Sequence, residues 1–294
     1  MLMNKHKSDK GGIMENPYIP YPVRIEDIEI ATEDKSLKTF TFVFLNKEDE
    51  EKFSYKAGQF AELSIPGMGE IPIGIASSPT EKGFVKFTVF KTGVVTTFLH
   101  NMKVGDIMGI RGPLGNWYPW ESLEDKNILI IGGGFAFTTL RSSIVYMLDP
   151  ENRPGFKDIH VVYGARSPGM LLYKDELEEW EKRQDINMHI TVDGTDDPDW
   201  KHHTGFVPQI TEKVAPKADS DTYAIVCGPP IMIKFTQPVL EKLGYKESQI
   251  IMSLENRMKC GIGMCGRCNI GKELVCKDGP VFTLDRLNRT PKEY

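Results

Sequence analysis

The chain has 294 residues, more than a single hydrophobic core usually accommodates, and this length predicts at least two compact domains. Its composition, 40% hydrophobic and 26% charged, is ordinary for a globular protein. A formal charge of −5 gives no general attraction to nucleic acid or anionic lipid, so neither is an expected partner. No run of about 18 apolar residues occurs in the sequence, and we expect no direct membrane insertion.

The beginning of the chain is polar. Residues 1–16 carry Lys5, Lys7 and Lys10 and contain no apolar segment of the kind that signal peptides use. Four of the five cysteines lie in one late loop, which is not the distribution of a secreted disulfide scaffold. We therefore expect a flexible leader over residues 1–16, a reducing compartment and a cytoplasmic location.

Short alternating segments rich in β-branched and aromatic residues follow the leader. They lie at 23–30, 37–45, 59–65, 84–90 and 106–110, and glycine and proline turns separate them. This spacing predicts a small antiparallel β-barrel over residues 17–118. Read from their residues alone, the segments 71–79 and 90–97 are interpreted as ordinary strand and hairpin sequence.

The rhythm changes after a predicted hinge at 113–120. Strand-like runs at 127–131, 159–163, 188–192, 223–226 and 249–254 now alternate with helical runs at 138–148, 172–183, 207–214 and 231–243. Such alternation predicts a doubly wound, parallel α/β sheet over residues 119–254.

A glycine turn follows the first of these strands. Gly132, Gly133 and Gly134 lead directly into a helix, and there the backbone can approach the pyrophosphate of a dinucleotide. Phe137 stands where the third glycine of a G-x-G-x-x-G pattern would be. Tight packing of strand against helix remains the alternative explanation of this turn.

Three further loops are predicted at the same edge of the sheet. Arg166 would hold an adenosine phosphate or lie solvated, and Asp193 would bind ribose hydroxyls or cap its loop, so the choice between NAD and NADP stays open. The third loop is a cofactor-lining turn or a capped helix, and its cysteine is a candidate contact or a buried small hydrophobe. The residues concerned are Tyr163, Gly164, Ala165 and Arg166, then Asp193, then Cys227, Gly228, Pro229 and Pro230.

The remaining cysteines form a C-x4-C-x2-C-x7-C pattern. Cys260, Cys265 and Cys268 have the spacing of plant-type ferredoxins, and Cys276 supplies a fourth thiolate for a [2Fe-2S] cluster. Zinc is the alternative, but zinc sites usually pair their ligands in two short knuckles and only one is present. We predict a lobe over residues 255–294 that the metal centre organises.

Taken in order, these features resemble the ferredoxin-NADP reductase superfamily: the barrel, Gly-Pro-Leu-Gly at 112–115, the glycine turn, Tyr-Gly-Ala-Arg, Cys-Gly-Pro-Pro and the cysteine loop. The segments 253–268 and 275–282 resemble one branch in particular, the flavin and iron-sulfur electron-transfer subunits of dihydroorotate dehydrogenases, sulfhydrogenases and anaerobic sulfite reductases. The resemblance covers about residues 17–290.

The resemblance implies three cofactors and a site for each. FAD would lie against Pro72, Ile73, Gly74 and Ile75, with its diphosphate near Gly93, Val94, Val95 and Thr96. NAD(P)H would lie along Gly133, Gly134, Tyr163 to Arg166, Asp193 and Cys227 to Pro230, and the four cysteines of the loop would hold [2Fe-2S]. No catalytic acid or base is expected, because the cofactors carry the chemistry.

The chain departs from the family pattern at two places. The flavin motif is commonly Arg-x-Tyr-Ser, and Ile71-Pro72-Ile73-Gly74 stands there instead. Relatives tend to have glycine at 136 and proline at 139, where this chain has Ala136 and Thr139.

The function implied is electron transfer between NAD(P)H, FAD, the cluster and a partner redox subunit. The partner would belong to a hydrogenase, a sulfite reductase, a heterodisulfide-reductase-type complex or a dehydrogenase. The alternative hypothesis is a flavin and iron-sulfur relay or adapter that no longer binds nucleotide, and the unusual turn at 135–139 motivates it.

Overall fold

A computed structural model describes residues 16–290, so the predicted leader falls almost entirely outside the described residues. The strands are β1 (Tyr21–Ile30), β2 (Leu37–Phe44), β3 (Phe60–Ile65), β4 (Gly69–Gly74), β5 (Val85–Phe90), β6 (Ile107–Leu114), β7 (Asn127–Gly133), β8 (Ile159–Ala165), β9 (Asn187–Val192), β10 (His203–Thr204), β11 (Thr222–Cys227), β12 (Ile250–Ser253), β13 (Asn269–Ile270), β14 (Glu273–Leu274) and β15 (Val281–Thr283). The α-helices are α1 (Lys47–Lys52), α2 (Val94–Asn101), α3 (Trp120–Leu123), α4 (Phe137–Leu148), α5 (Lys174–Lys182), α6 (Val207–Val214), α7 (Pro230–Lys242), α8 (Val275–Asp278) and α9 (Leu284–Asn288).

The first sheet is antiparallel, and within residues 16–290 it has six strands in the order β4-β3-β6-β1-β2-β5. Period-two alternation explains its core, because every second side chain of a strand points to the same face. Phe40 and Phe42 of β2 and Phe87 of β5 are completely buried there. The edge strands β4 and β5 approach one another, so the sheet curls into the predicted barrel shape.

The second sheet is the predicted doubly wound one. Over the described part of the chain its order is β10-β9-β8-β7-β11-β12-β15, and all neighbours are parallel except β12 and β15. The chain proceeds outward from β7 in one direction and then returns to β11 on its other side. This reversal creates a crevice at the carboxyl ends of β7 and β11, which is where ligands bind in such sheets.

The C-terminal segment is attached to both sheets. Strand β15 pairs with β12, so the predicted separate lobe also supplies an edge strand to the parallel sheet. The Asn116 side chain in the hinge donates to the carbonyls of Asp278 (2.9 Å) and Val281 (2.8 Å), and accepts the Val281 N–H (2.8 Å). The hinge thus holds the cysteine segment against the barrel.

A buried arginine joins the barrel to the parallel sheet. Arg141 of α4 donates to the carboxylate of Glu81 (2.9 and 3.1 Å), to that of Glu176 (2.6 and 2.7 Å) and to the carbonyl of Ala76 (2.9 Å). Its side chain is only 3% exposed. One side chain of the second sheet therefore fixes a barrel loop through paired, charge-assisted hydrogen bonds.

Two features of the fold differ from the sequence interpretation. The interpretation of 90–97 as hairpin sequence is wrong, because Gly93 caps α2, which begins at Val94. Strand β15 lies in the predicted lobe 255–294, for which the sequence analysis named no strand. Among residues 16–290, no helix has both the length and the apolar character needed to span a bilayer.

Candidate cofactor sites

A cavity of about 370 Å³ lies where the barrel, the parallel sheet and the cysteine segment meet. Strand β4 contributes Pro72 and Ile73 to its lining, the parallel-sheet domain contributes Thr138 of α4 and Cys227 of β11, and the C-terminal segment contributes Asn256. We refer to it as the central cavity. Its apolar walls with a few polar groups suit a flat ring system, so the residues present fit a flavin.

Gly74 and Thr139, the two departures from the family pattern, are in contact with each other. A Cβ atom added at Gly74 would lie 2.0 Å from Cγ2 of Thr139. The Thr139 hydroxyl donates to the Ala136 carbonyl (3.1 Å) and lies 3.6 Å from Sγ of Cys227. The threonine therefore occupies the space that any side chain at position 74 would need.

We predict that Gly74→Ala lowers the free energy of unfolding by roughly 1–3 kcal/mol, because the added methyl overpacks a site that Thr139 already fills. The double variant Gly74→Ala/Thr139→Gly should recover most of that loss, as measured by urea unfolding of the FAD-loaded protein. Gly194→Ala is the matched control, since nothing lies within 4 Å of its added Cβ. If Gly74→Ala and Gly194→Ala lost the same free energy of unfolding, or if the double variant recovered none of it, the proposed contact between Gly74 and Thr139 would be wrong.

The segment predicted to hold the flavin diphosphate forms the start of α2. The backbone N–H groups of Thr92 (2.9 Å) and Gly93 (2.8 Å) both donate to Oγ1 of Thr96, which fixes the turn before the helix. Thr96 lines the central cavity, whereas Val94 points outward and is 74% exposed. A helix N-terminus favours a negatively charged group, and the contacts of Gly93, Val94, Val95 and Thr96 with the diphosphate stay a prediction.

A second cavity of about 690 Å³ lies at the carboxyl edge of the parallel sheet, beside the crevice between β7 and β11. We call it the edge cavity. It brings together seven of the residues predicted for the nucleotide: Gly133, Gly134, Gly164, Ala165, Arg166, Asp193 and Pro229. Burial raises the pKa of Asp193, and the charge of Arg166 opposes this shift. A glycine turn at the carboxyl ends of neighbouring parallel strands is an arrangement that fits a dinucleotide.

Several predicted contacts lie elsewhere. Tyr163 is fully buried, stacks on Phe137 with ring centroids 3.7 Å apart, and accepts the Leu172 N–H through its hydroxyl (3.1 Å). Ile75 is packed in the barrel core. Cys227 lines the central cavity rather than the edge cavity, and burial raises the pKa of its thiol to about 12. Gly228 and Pro230 flank Pro229 without lining either cavity.

The sequence interpretation missed the outer wall of the edge cavity. Residues at the start of α6 and on one face of α7 form it, namely Phe206, Val207, Pro208, Gln209, Glu212, Ile231, Met232, Phe235 and Val239. Three of the large apolar ones remain exposed: Phe206 (58%), Ile231 (62%) and Phe235 (58%). The spacing of Ile231 and Phe235, four residues apart on a helix, was the available signal, but it is equally typical of a face that packs on a core.

The four cysteines of the C-terminal segment form two pairs. The Cys265 N–H donates to Sγ of Cys260, and the Cys276 N–H donates to Sγ of Cys268, so the two members of each pair are in contact. Backbone N–H groups donate to three of the sulfurs: Gly263 to Cys276 (3.1 Å), Met264 (3.3 Å) and Cys265 (3.4 Å) to Cys260, and Cys276 to Cys268 (3.4 Å). Such donors stabilise thiolates that bind iron.

The environment shifts the acidity of two of these thiols. Burial raises the pKa of Cys260, but the N–H groups of Ile262, Cys265 and Met264 outweigh burial and lower it to about 6. Burial and the neighbouring Cys268 thiol raise the pKa of Cys276 to about 12. Among residues 16–290, no three Cys, His, Asp or Glu side chains are arranged around a point for a single ion. A two-iron cluster needs only two thiolates at each iron, so the paired arrangement fits [2Fe-2S].

The loop between the first two cysteines rests directly on the barrel. Gly261 has φ +68°, and a Cβ there would lie 3.1 Å from Oε1 of Glu62 and 3.4 Å from Nη1 of Arg111. Both strand residues are buried, and Arg111 also pairs with Glu70 (2.6 Å). Burial raises the pKa of Glu62 to about 7 despite the charge of Arg111. Only glycine meets both the backbone and the space requirements at position 261.

Three family models match the chain. Residues 28–118 match an oxidoreductase FAD-binding domain, residues 130–238 an oxidoreductase NAD-binding domain, and residues 255–288 the iron-sulfur cluster binding domain of dihydroorotate dehydrogenase B. The first match contains strand β4 of the central cavity, the second contains the seven predicted residues that line the edge cavity, and the third contains the four cysteines. They support iron-sulfur over zinc at the four thiolates.

Known proteins resemble the chain over most of its length. Subunit gamma of sulfhydrogenase 1 from Pyrococcus furiosus is 39% identical over 284 residues, which cover 94% of this chain and 95% of the relative. A probable electron transfer subunit of dihydroorotate dehydrogenase B (NAD(+)) from Methanocaldococcus jannaschii is 35% identical, and the match covers 93% and 92% of the two chains.

Solved structures show the same fold. The structure of an NADH-dependent reduced ferredoxin-NADP oxidoreductase, described with flavin-based electron bifurcation, matches with a TM-score of 0.69 and 26% identity over 92% of this chain and 93% of that one. A ferredoxin NADP+ reductase from Neisseria gonorrhoeae, solved with bound FAD and NADP, matches the fold with a TM-score of 0.65 at 20% identity, covering 79% and 96%. With relatives this similar along nearly its whole length, the chain belongs to the ferredoxin-NADP reductase superfamily, in its branch of flavin and iron-sulfur electron-transfer subunits.

Proposed function

We propose that this chain is the electron-transfer subunit of a larger redox complex, exchanging a hydride with NADH or NADPH and single electrons with a partner subunit. The observation that carries the proposal is the lining of the central cavity, to which the barrel, the parallel sheet and the cysteine segment all contribute. A flavin held there would be adjacent to both the nucleotide side and the cluster side. Position, rather than any acid or base, is what the protein contributes.

The bound groups supply two-electron hydride transfer at the nucleotide and flavin and one-electron transfer at the cluster. The chain's own residues divide the work by domain: residues 17–118 hold FAD, 119–254 hold the nucleotide and 255–294 hold the cluster. Pro72, Ile73 and Gly74 form the wall against which the ring would lie. Thr139 packs on Gly74 and closes the gap that the missing side chain would leave.

The nucleotide contacts follow from the edge cavity. Gly133 and Gly134 bring the backbone close to the pyrophosphate, while Arg166 and Asp193 face the adenosine end with opposite charges. The remaining predicted contacts, among them Tyr163, Gly228 and Pro230, would act through backbone geometry, since their side chains lie outside the cavity. Cys260 with Cys265, and Cys268 with Cys276, would each bind one iron.

The relatives' names point to the kind of assembly. One relative is a gamma subunit of a sulfhydrogenase and another an electron transfer subunit of a dihydroorotate dehydrogenase. By analogy, the partner of this chain is a catalytic redox subunit of a hydrogenase, a sulfite reductase, a heterodisulfide-reductase-type complex or a dehydrogenase. A cytoplasmic location is part of the proposal, because a cysteine cluster of this kind requires reduced thiols.

The relay hypothesis rests on bulky residues in the glycine turn. Phe137 has no exposed surface and stacks on Tyr163 in the core. Phe135 lines the central cavity and not the edge cavity. Neither ring therefore lines the edge cavity proposed for the pyrophosphate and adenosine, and this favours nucleotide use.

Anaerobic titration of FAD- and cluster-loaded protein tests the proposal. We expect NADH or NADPH to bleach the flavin absorbance, and the comparison of the two identifies the physiological nucleotide. Iron and acid-labile sulfide measured on the same sample establish that the protein is loaded. Unchanged absorbance with both nucleotides, in protein that dithionite reduces normally, would favour the relay instead.

A further inference from the structure

We infer that the exposed surface around the cluster is a docking site for a partner protein with an acidic surface. Five exposed basic residues, which we call the basic rim, lie within four residues of a cluster cysteine in the chain: Arg257, Lys259, Arg267, Lys272 and Lys277. This inference rests on the proposed function, since it specifies the chemistry of the partner that exchanges electrons with the cluster.

The charge of this region is opposite to that of the chain as a whole. The protein carries −5, yet residues 255–290 contain seven basic and only four acidic residues. Two of those acids, Glu273 and Asp285, are neutralised by Arg286 and Arg289. Asp278 accepts the Leu274 N–H (2.7 Å), and Glu255 lines the central cavity.

The basic rim itself is not neutralised within the part of the chain that the structure describes. None of its five side chains takes part in an ion pair with another residue of 16–290. Unpaired like charges on one small lobe repel each other, and a complementary negative surface would relieve that repulsion.

The basic rim lies where the cluster comes nearest to the surface. Cys265 is exposed, whereas the other three ligands are buried. Met264 beside it is 77% exposed. The stem of Lys277 packs along the same loop, 2.8 Å from the position of a Cβ on Gly263. An exposed apolar residue with exposed charged residues close to it in the chain is compatible with the apolar centre and polar rim of a protein interface.

Charge complementarity favours a protein over nucleic acid as the occupant. Nucleic-acid binding at physiological salt draws on about six to ten phosphate contacts, and the negative charge of the remaining chain would oppose a polyanion of that size. A limited acidic patch on a protein matches the small number of cations in the basic rim. Its main effects would be faster association and a fixed orientation.

Two forms of one acceptor protein can test this surface. Native cytochrome c is basic and succinylated cytochrome c is acidic, and each accepts one electron at the same haem. Holo-protein is reduced with dithionite, freed of excess reductant, and mixed with each acceptor in a stopped-flow instrument. We expect the rate with the acidic form to fall at least about tenfold between about 20 mM and 500 mM salt, and the rate with the basic form to rise.

Charge reversal at the basic rim should make the protein react faster with the basic acceptor than with the acidic one. In Lys259→Glu/Arg267→Glu/Lys272→Glu we expect at least about a tenfold lower rate with the acidic acceptor at low salt. Lys103→Glu/Lys201→Glu/Lys217→Glu is the matched control, with the same change in net charge at exposed positions outside the lobe. It should stay within about twofold of the unaltered protein. Cluster-free Cys276→Ala protein measures the electrons that leave directly from the flavin.

Equal effects of the two triple variants would overturn the inference, as would a loss of rate with both acceptors in a rim variant that keeps its cluster spectrum. A salt-sensitive dimer in sedimentation velocity that the rim variant abolishes would identify a second copy as the occupant and also overturn it. Rim-dependent binding of duplex DNA at 150 mM salt would do the same. Dithionite reduces the protein without nucleotide, so this test does not depend on the NADH titration. The rim can prove to be a docking site when NADH does not reduce the flavin, and NADH can reduce the flavin when the rim has no role.

Discussion

Cys276→Ala is expected to abolish the cluster while leaving the flavin bound. Iron and acid-labile sulfide should fall from about two of each per chain to less than a tenth of that, because one iron would lose one of its two thiolates. The flavin should stay, since the central cavity is lined by none of the four cluster cysteines. The measurement is iron, sulfide and FAD analysis of anaerobically prepared protein, with the visible spectrum.

Cys227→Ala is the matched control, because it removes the fifth cysteine from a buried site outside the lobe. Its iron and sulfide content should equal that of the unaltered protein. The cluster assignment would be lost if iron persisted in Cys276→Ala and disappeared in Cys227→Ala. Limited proteolysis adds a second readout, since a lobe without its metal should be cut faster within residues 255–290.

Arg141→Met should lower the free energy of unfolding by about 3 kcal/mol, because two partly buried carboxylates lose their shared, buried partner. Arg141 of α4 pairs with Glu81 in a barrel loop, so losing the arginine should also loosen the packing of the barrel against α4. Urea unfolding followed by tryptophan fluorescence measures the change. Arg183→Met is the control: its pair with Asp185 is 39% and 34% exposed and should be worth less than about 1 kcal/mol.

Replacing Glu81 and Glu176 together with Arg141 distinguishes the effect of unpaired charge from the effect of lost packing. In Arg141→Met/Glu81→Gln/Glu176→Gln no buried charge is left unpaired, and we expect most of the lost stability to return. A triple variant as unstable as Arg141→Met would show that the arginine acts through packing alone.

Acid should lower the stability of the protein by protonating Glu81, one of the carboxylates paired with Arg141. Burial raises the pKa of Glu81, but the hydrogen bonds and charge of Arg141 outweigh burial, so its folded-state pKa lies below the ordinary 4.5. A depressed pKa contributes stability that is fully present above the unfolded value and is lost as pH falls through the folded value. The unaltered protein should therefore lose this contribution below about pH 4.5, whereas Arg141→Met should not.

The family resemblance, applied to motifs in the sequence, predicted residues for the cofactor sites but not the walls of the two cavities. Gly133, Gly134, Arg166 and Asp193 stand at the ends of strands, and period-two and helical patterns were enough to place those ends at one edge. The outer wall from α6 and α7 was missed because Phe206, Ile231 and Phe235 look like ordinary core-facing residues until the packing leaves them exposed. Tyr163 shows a second difference between motif and packing, since its neighbours Gly164, Ala165 and Arg166 line the edge cavity while its ring enters the core.

The contact between Gly74 and Thr139 was equally out of reach. The two residues are 65 positions apart, and the sequence presents them as two separate departures from a family pattern. Only the docking of α4 on the barrel brings the threonine methyl group into the space of a missing side chain. Neither residue type carries a local signal for such a contact.

The sequence by itself determined the chemistry of this protein: four cysteines at ferredoxin spacing, a glycine turn after a buried strand, and the patterns of a barrel and a parallel sheet. These are local properties, set by backbone geometry, side-chain period and ligand type. The tertiary structure decided which parts meet. The central cavity, the Arg141 junction and the basic rim join residues distant in the chain, and their contacts depend on how three parts pack, which no local pattern encodes.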